Sequence, residues 1–194
     1  MTSNSRGRLA LASVVSALGL ALTGLAPVSA TTFPTVHVSI QMFAFTPSTA
    51  TSRMGTLVIW TNLDTTAHTT TSNQGFWSSP HLGTNATFSR RFYSAGTFGY
   101  HCAIHPSMTG RIRVPMQATP RTGGGVLVWA LASGTFDVQI ERPGSTTWRP
   151  FRTGTTARGT TFLTTHAGRY HFRSRRHGPL GDSGWSPAVS LLVG

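Results

Sequence analysis

The chain has no lysine, one cysteine and only four acidic residues among 194. Each scarcity excludes something. A single cysteine cannot close an internal disulfide, so a disulfide-stapled fold is ruled out. Cys102 is left with three uses: an intermolecular bridge, a reactive thiol or a metal ligand. Sixteen basic residues, all arginine, against four acids give a formal net charge of +12. That excess favours acidic partners, such as an acidic protein face or an anionic envelope polymer. The arginines are dispersed along the chain, so solubility is the plainer reading and no specific nucleic-acid surface is expected. Beyond residue 30 no stretch keeps a helical period, which removes the helical fold classes.

The N-terminus reads as a targeting segment. Arg6 and Arg8 precede an apolar run from Leu9 to Leu25. Pro27-Val28-Ser29-Ala30 comes next, with small residues where a signal peptidase cuts. Residues 1–30 are therefore expected to be a secretory signal peptide cleaved after Ala30. The alternative, a membrane anchor, would need a longer run and a basic cluster beyond it. Gly7 separates the two arginines, so a twin-arginine signal is excluded. The mature chain is expected outside the cytoplasm, secreted or in a periplasm-like envelope compartment, with no membrane span. A free thiol there is open to oxidation, which turns Cys102 towards the ligand reading.

What is present is alternation. Val36, Val38 and Ile40 fall on one face, Val58 and Trp60 on another, and Phe98, Tyr100 and Cys102 on a third. Turn residues separate these runs, as at Met54-Gly55, Asn73-Gln74-Gly75 and Ala95-Gly96. Short alternating strands at this spacing predict a β-sandwich. Pro115, Pro120 and Gly123-Gly124-Gly125 interrupt the pattern and read as a junction that few contacts cross. A second β set begins beyond it, at Val126. The expected division is residues 31–118 and 119–194.

The chemistry concentrates in Tyr100-His101-Cys102-Ala103-Ile104-His105-Pro106-Ser107-Met108-Thr109-Gly110. Cys102 ends a strand, so the sheet fixes its sulfur. The short loop after it returns His105 and Met108 over the same point, and Gly110 is expected to turn the chain into the next strand. Thiolate, imidazole and thioether together suit copper cycling between two oxidation states. A trigonal site needs a second imidazole, and His68 after the Leu57–Asn62 strand supplies it. A hydroxyl from Thr69-Thr70-Thr71 could tie the two loops together. Two other readings stay open on the residues alone. Cys102 and His105 could be a buried thiol with a loop histidine, or a nucleophile–base pair without a conventional orienting acid nearby. Zinc could occupy the same ligands, although structural zinc takes four strong donors. His37, His81 and His101 read as surface residues.

The pattern Tyr100-x-Cys102-x-x-His105-x-x-Met108-x-Gly110, with His68 upstream, resembles the cupredoxin family and most of all its amicyanin branch. Phe43-x-Phe45-x-Pro47, Gly55, Val58, Trp60 and Asn62 extend the resemblance over roughly Thr35 to Val114. It implies a Greek-key sandwich, one mononuclear type 1 copper and electron transfer, without catalysis. It implies His68, Cys102 and His105 in the trigonal plane and Met108 as the weak axial ligand. Thr69 departs from the asparagine usual after the first ligand, which puts the loop-to-loop hydrogen bond in question. Multicopper oxidases flank the ligand cysteine with histidine on both sides, and here the flanks are His101 and Ala103.

The second half is similar to a fibronectin type III module, an immunoglobulin-like β-sandwich. Trp129 would be its core tryptophan and Tyr170 its corner tyrosine, with Ser183-Gly184-Trp185-Ser186-Pro187 at the entry to the last strand. Trp185 is expected to stack with Arg173 and Arg175. The whole is thus expected to be all-β, two sandwiches in series, carrying electrons between redox partner proteins. Phe76, Trp77, Pro80 and Pro106 are expected to rim the site for docking. The rival function is a copper scavenger, a delivery protein or an adhesion protein whose second half docks an acidic partner or polymer.

Overall fold

The computed structural model describes residues 1–2 and 34–194, and the segment read as a signal peptide lies outside the described residues. Among the described residues every regular element is a strand. The first eight are β1 (Thr35–Gln41), β2 (Ala44–Thr46), β3 (Thr49–Thr51), β4 (Leu57–Asn62), β5 (Thr71–Ser72), β6 (Thr87–Arg91), β7 (Gly96–His101) and β8 (Thr109–Val114). They form two four-stranded sheets, β2-β1-β4-β6 and β3-β8-β7-β5. β1 pairs with β4, and β3 with β8, in parallel; the other pairs are antiparallel.

The alternation decides which faces meet. Val38, Ile40, Val58, Trp60, Phe98, Tyr100 and Ile112 are all buried in one core between the two sheets. Because strand side chains repeat every two residues, Cys102 keeps the inward phase of Phe98 and Tyr100 although it lies just beyond β7. His101 takes the opposite phase and hydrogen-bonds Asn73 at 2.8 Å. Gly110 is not the turn that its sequence position suggests. It lies within β8, opposite Tyr100, and a Cβ there would sit 2.4 Å from the Tyr100 ring. The glycine exists to admit the phenol, whose pKa burial pushes up to about 12.

The second set is β9 (Gln117–Arg121), β10 (Gly124–Val128), β11 (Phe136–Glu141), β12 (Arg149–Thr155), β13 (Gly159–Leu163), β14 (Gly168–Arg176) and β15 (Val189–Val193). It forms a three-stranded sheet, β13-β10-β9, and a four-stranded one, β12-β11-β14-β15, over a core of Leu127, Trp129, Phe136, Val138, Phe172 and Leu191. The Pro/Gly stretch expected to be a junction is therefore mostly strand. Pro120 is tolerated because β9 is an edge strand with no ladder on its outer side. Gly124 and Gly125 let neighbours approach closely: Cβ atoms there would lie 1.9 Å from the Phe162 carbonyl oxygen and 2.8 Å from that of Thr119. The division expected after residue 118 falls inside β9, where Gln117 and Ala118 already face Val128 and Leu127.

The two sandwiches also meet more closely than the sequence suggests. Ala95 N donates to Trp129 O (2.8 Å) and Leu131 N to Tyr93 O (2.7 Å). Thr97 and Gly184 exchange backbone hydrogen bonds of 2.8 and 2.9 Å. A Cβ on Gly178 would stand 2.7 Å from the Phe76 ring. Local sequence carries no mark of these pairings, because each joins residues far apart in the chain.

The Arg–Trp stack is present and extends further than expected. The Arg173 guanidinium carbon lies 4.2 Å from the Trp148 ring centre and 5.0 Å from that of Trp185, and Arg175 lies 4.9 Å from Trp185. Arg175 also grips Asp137 through Nε (2.9 Å) and a terminal nitrogen (2.8 Å).

This packing makes two predictions. Gly124→Ala should destabilise the protein by about 2 kcal/mol or more, since backbone blocks the methyl group, whereas Gly83→Ala, in open space, should stay within about 0.5 kcal/mol. Urea unfolding monitored by tryptophan fluorescence measures both. The second concerns acid. Desolvation raises the Asp137 pKa, but the Gly154 N–H, Arg175 and His177 together hold it below its ordinary value of 3.8. The unfolded chain then binds this proton more readily than the folded one. The contribution is full above pH 3.8 and disappears as pH falls through the lower folded value. Asp137→Asn should remove that part of the acid limb from a stability–pH curve.

Candidate metal centre

Two loops build the site. The first leaves β4 at Asn62, a buried amide that organises the loop from its base. Its Nδ2 donates to Thr66 O and Leu82 O, both at 2.8 Å, and its Oδ1 accepts from Asp64 N at 3.0 Å. His68 then exchanges backbone hydrogen bonds with Leu82 (3.1 and 2.8 Å), which fixes the start of its side chain. The second loop joins β7 to β8. It is closed by Cys102 N donating to Met108 O (3.0 Å) and Met108 N to His105 O (2.9 Å). A seven-residue excursion pinned at both ends can hold a side chain on target without help from a ligand.

The donors meet. Cys102 Sγ lies 3.7 Å from His68 Nδ1 and 3.7 Å from His105 Nδ1, and the two Nδ1 atoms are 3.2 Å apart. The point equidistant from the three atoms lies about 2 Å from each, the length of a metal–imidazole bond. Three donors at this spacing in a closed triangle fit one metal ion. His68 and Cys102 are fully buried, while His105 is half-buried. Met108 is buried, with its backbone locked to both Cys102 and His105.

Thr69 joins the loops despite departing from the expected asparagine. Its N–H donates to Cys102 Sγ at 3.3 Å, and its Oγ1 accepts from Ala103 N at 2.7 Å. A hydroxyl does here what an amide oxygen would do. Sequence left open which threonine would act; Thr70 instead takes the Trp77 indole N–H at 3.1 Å.

Asp64 and Phe43 also belong to the site, and sequence reasoning missed both. One Asp64 carboxylate oxygen lies 3.1 Å from His68 Nε2. The carboxylate also accepts from Met42 N (2.7 Å) and Phe43 N (3.0 Å). The Phe43 N–H is the main cause that holds the Asp64 pKa below its ordinary value; desolvation opposes it, and Met42 and His68 add to it. Met42 and Phe43 form the two-residue turn between β1 and β2, both with positive φ, 51° and 56°. Side chains rarely accept that conformation, which usually selects Asn-Gly. The carboxylate holds the turn, and the turn sets the Phe43 ring edge-on against His68 (5.4 Å) and His105 (5.0 Å). An acid four residues before the first histidine was the available sequence signal.

The apolar rim differs from the expected one. Trp77 is 7% exposed and belongs to the core, and Phe76 packs on Phe98. Pro80 and Pro106 are exposed as expected, and the large exposed apolar side chains on or beside the site loops are Met42, Phe43, Leu63 and Ile104. Asp137, His177 and Asp182 also approach one another. Arg175 stands among them, 2.8 and 3.2 Å from the two carboxylates, as the cation of that group.

No known family profile matches the chain. It is similar to Amicyanin-alpha of Methylorubrum extorquens, 29% identical over 110 residues, which covers 54% of this chain and 92% of that one. Among solved structures it is similar to a Cu(I) form of an amicyanin mutant, at 25% identity and a TM-score of 0.40, covering 41% of this chain and 81% of the other. It is also similar to a purple cupredoxin from Nitrosopumilus maritimus, at 27% identity and a TM-score of 0.38, covering 41% and 98%.

Replacing Thr69 tests the link between the loops. Thr69→Val keeps the shape but removes the acceptor of the Ala103 N–H, and should cost about 1 kcal/mol in metal-free protein. Thr69→Ser should restore most of it. Chemical denaturation of the three proteins in chelator measures the difference.

Proposed function

We propose that this protein is an exported type 1 (blue) copper protein of the cupredoxin class that carries single electrons between redox partners. The observation that carries this reading is the triangle of one thiol sulfur and two imidazole Nδ1 atoms with sides of 3.7, 3.7 and 3.2 Å. His68, Cys102 and His105 would hold the copper through two imidazoles and a thiolate, and the Met108 thioether would be a further, weaker ligand. The donor set suits copper better than zinc, which in structural sites takes four strong ligands. Similarity to Amicyanin-alpha along nearly the whole of that protein supports the same choice.

Bound copper would supply a one-electron couple. The chain's own residues do the rest. Thr69 N–H donates to the sulfur and lowers the charge it presents, while Asp64 fixes the orientation of the His68 ring. The two hydrogen-bonded loops hold the donors in one arrangement, so little has to move when the charge changes. His105 is the half-buried donor, and the ring of Phe43, 54% exposed, lies against it. With Met42, Leu63 and Ile104 these side chains give an apolar face through which a partner protein can approach the site. The arginine excess supplies long-range attraction to a partner of acidic character, raising the encounter rate more than the affinity. In this reading the chain carries electrons and catalyses nothing.

Residues 1–30 are the signal peptide in this proposal, and the mature protein is secreted or held in the cell envelope. The copper-binding domain runs from residue 31, and the division expected after residue 118 is moved back to Pro115-Met116, ahead of β9, so that the whole of β9 belongs to the second domain. The second sandwich is a fibronectin type III-like module. Its three-on-four division of strands supports this, as do the buried Trp129 and the Tyr170 hydroxyl donating to His166 O at 2.9 Å, four residues upstream.

Addition of Cu(II) to purified protein should give an intense blue colour from thiolate-to-copper charge transfer, and Cys102→Ser should abolish it. Met108→Leu should keep the colour and shift the reduction potential, because an axial thioether bonds weakly. Visible absorption and voltammetry measure the two effects. A colourless one-to-one Cu(II) complex of the wild type would overturn the reading.

A further inference from the structure

All four acidic residues of the chain have a place. Asp64 faces His68, Asp137 and Asp182 face Arg175, and Glu141 acts on Arg173. None is left for Arg90, in β6, or for Arg176, at the end of β14. These two arginines come from different sandwiches and converge on consecutive aromatic residues. The Arg90 guanidinium carbon lies 5.3 Å from the Trp77 ring centre, and that of Arg176 lies 5.5 Å from the Phe76 ring centre. Both line one small cleft, together with Tyr93 and Ser94. Both are about half-buried, and burial is the chief cause that lowers the pKa of each; the positive charge of Arg176 lowers that of Arg90 further.

Two like charges drawn partly out of water, with ring faces as their attraction, are an unfavourable arrangement. Stacking offsets only part of the cost. The four acidic side chains are all engaged elsewhere, so none of them balances this pair of charges. We propose that the cleft between Arg90 and Arg176 is an anion site for a tetrahedral oxyanion, phosphate or sulfate, free or carried on a polymer. The two walls decide the choice of anion. Each guanidinium offers a planar fork of N–H donors. A tetrahedral anion presents oxygen pairs in two directions and can serve both forks, whereas a carboxylate serves one fully. Because the cleft is small, the ion sits at its mouth. Its two anchors belong to different sandwiches, so binding ties the copper-site half to the second half.

The test is thermal unfolding of the full protein in sodium phosphate against sodium chloride of equal ionic strength. The expected result is a saturable rise in Tm at low millimolar phosphate, about 4 °C at tenfold the Kd. Arg176→Gln and Arg90→Gln should each abolish the rise, and Arg169→Gln, on an exposed position of β14, should retain it. Circular dichroism checks that the variants are folded. General salting-out by phosphate would rise without saturation and appear in every variant. A parallel series with long-chain polyphosphate at equal phosphate content separates the sources. A rise with free phosphate identifies an ion site, and a rise with the polymer alone identifies part of a polymer footprint. No saturable rise with either, or an equal rise in Arg176→Gln, would overturn the proposal.

Discussion

A thiol and two imidazoles will not stay within 4 Å of one another unless something outside the site holds them there. In this protein the holder is a short set of hydrogen bonds between two loops. Thr69 gives its N–H to Cys102 Sγ and takes that of Ala103 on its hydroxyl. Those two bonds join the His68 loop to the Cys102 loop at the sulfur itself. Behind them, Asn62 fixes one loop from within the core, and the Cys102–Met108 backbone closes the other. Asp64 extends the set outwards. A single carboxylate receives the His68 ring and two backbone N–H groups of a turn that holds two non-glycine residues at positive φ. Strain at that turn costs on the order of 1–3 kcal/mol per residue, and the position of Phe43 over both imidazoles is what it produces.

The scarcity of acids shapes the rest of the molecule. With few carboxylates available, arginine charge is met by rings and carbonyl groups. Arg173 lies between two indoles and donates twice to Gln139 Oε1, and Arg158 donates to a backbone carbonyl. Asp137 serves several donors at once. The result is a second sandwich whose surface is ordered by stacking. The same shortage leaves Arg90 and Arg176 facing each other across the meeting of the two halves.

Much of this was legible in the chain. Alternation predicted the buried faces of β1, β4 and β7, because a strand repeats every two residues whatever it pairs with. The inward phase of Cys102 and outward phase of His101 obey the same rule. The grouping of Cys102, His105 and Met108 was visible because one short loop carries them. Trp129 and Tyr170 stood out as large aromatic residues beside or within alternating runs, and both are buried in the second core. What failed to show had its partner elsewhere. β9 was hidden because Pro120 is permitted only by its edge position. Gly110 looked like a turn because the ring that needs its space belongs to Tyr100, on the neighbouring strand. Trp77 looked like docking surface because nothing local says that Trp60, Phe92 and Tyr100 surround it.

The sequence by itself determined the class of the fold, the phase of its plainly alternating strands and the thiol and imidazole side chains that could converge, since these depend on residue type and on spacings of a few residues. The tertiary structure alone decided distances. It brought His68 to Cys102, selected Thr69 from three adjacent threonines and set Asp64 behind the imidazole. It also joined Thr97 to Gly184 and Ala95 to Trp129, where backbone groups of no particular residue type pair across the chain. Hydrogen bonds of the main chain leave no trace in side-chain pattern, so the closeness of the two sandwiches, and the meeting of Arg90 with Arg176, arise only from how the folded chain is packed.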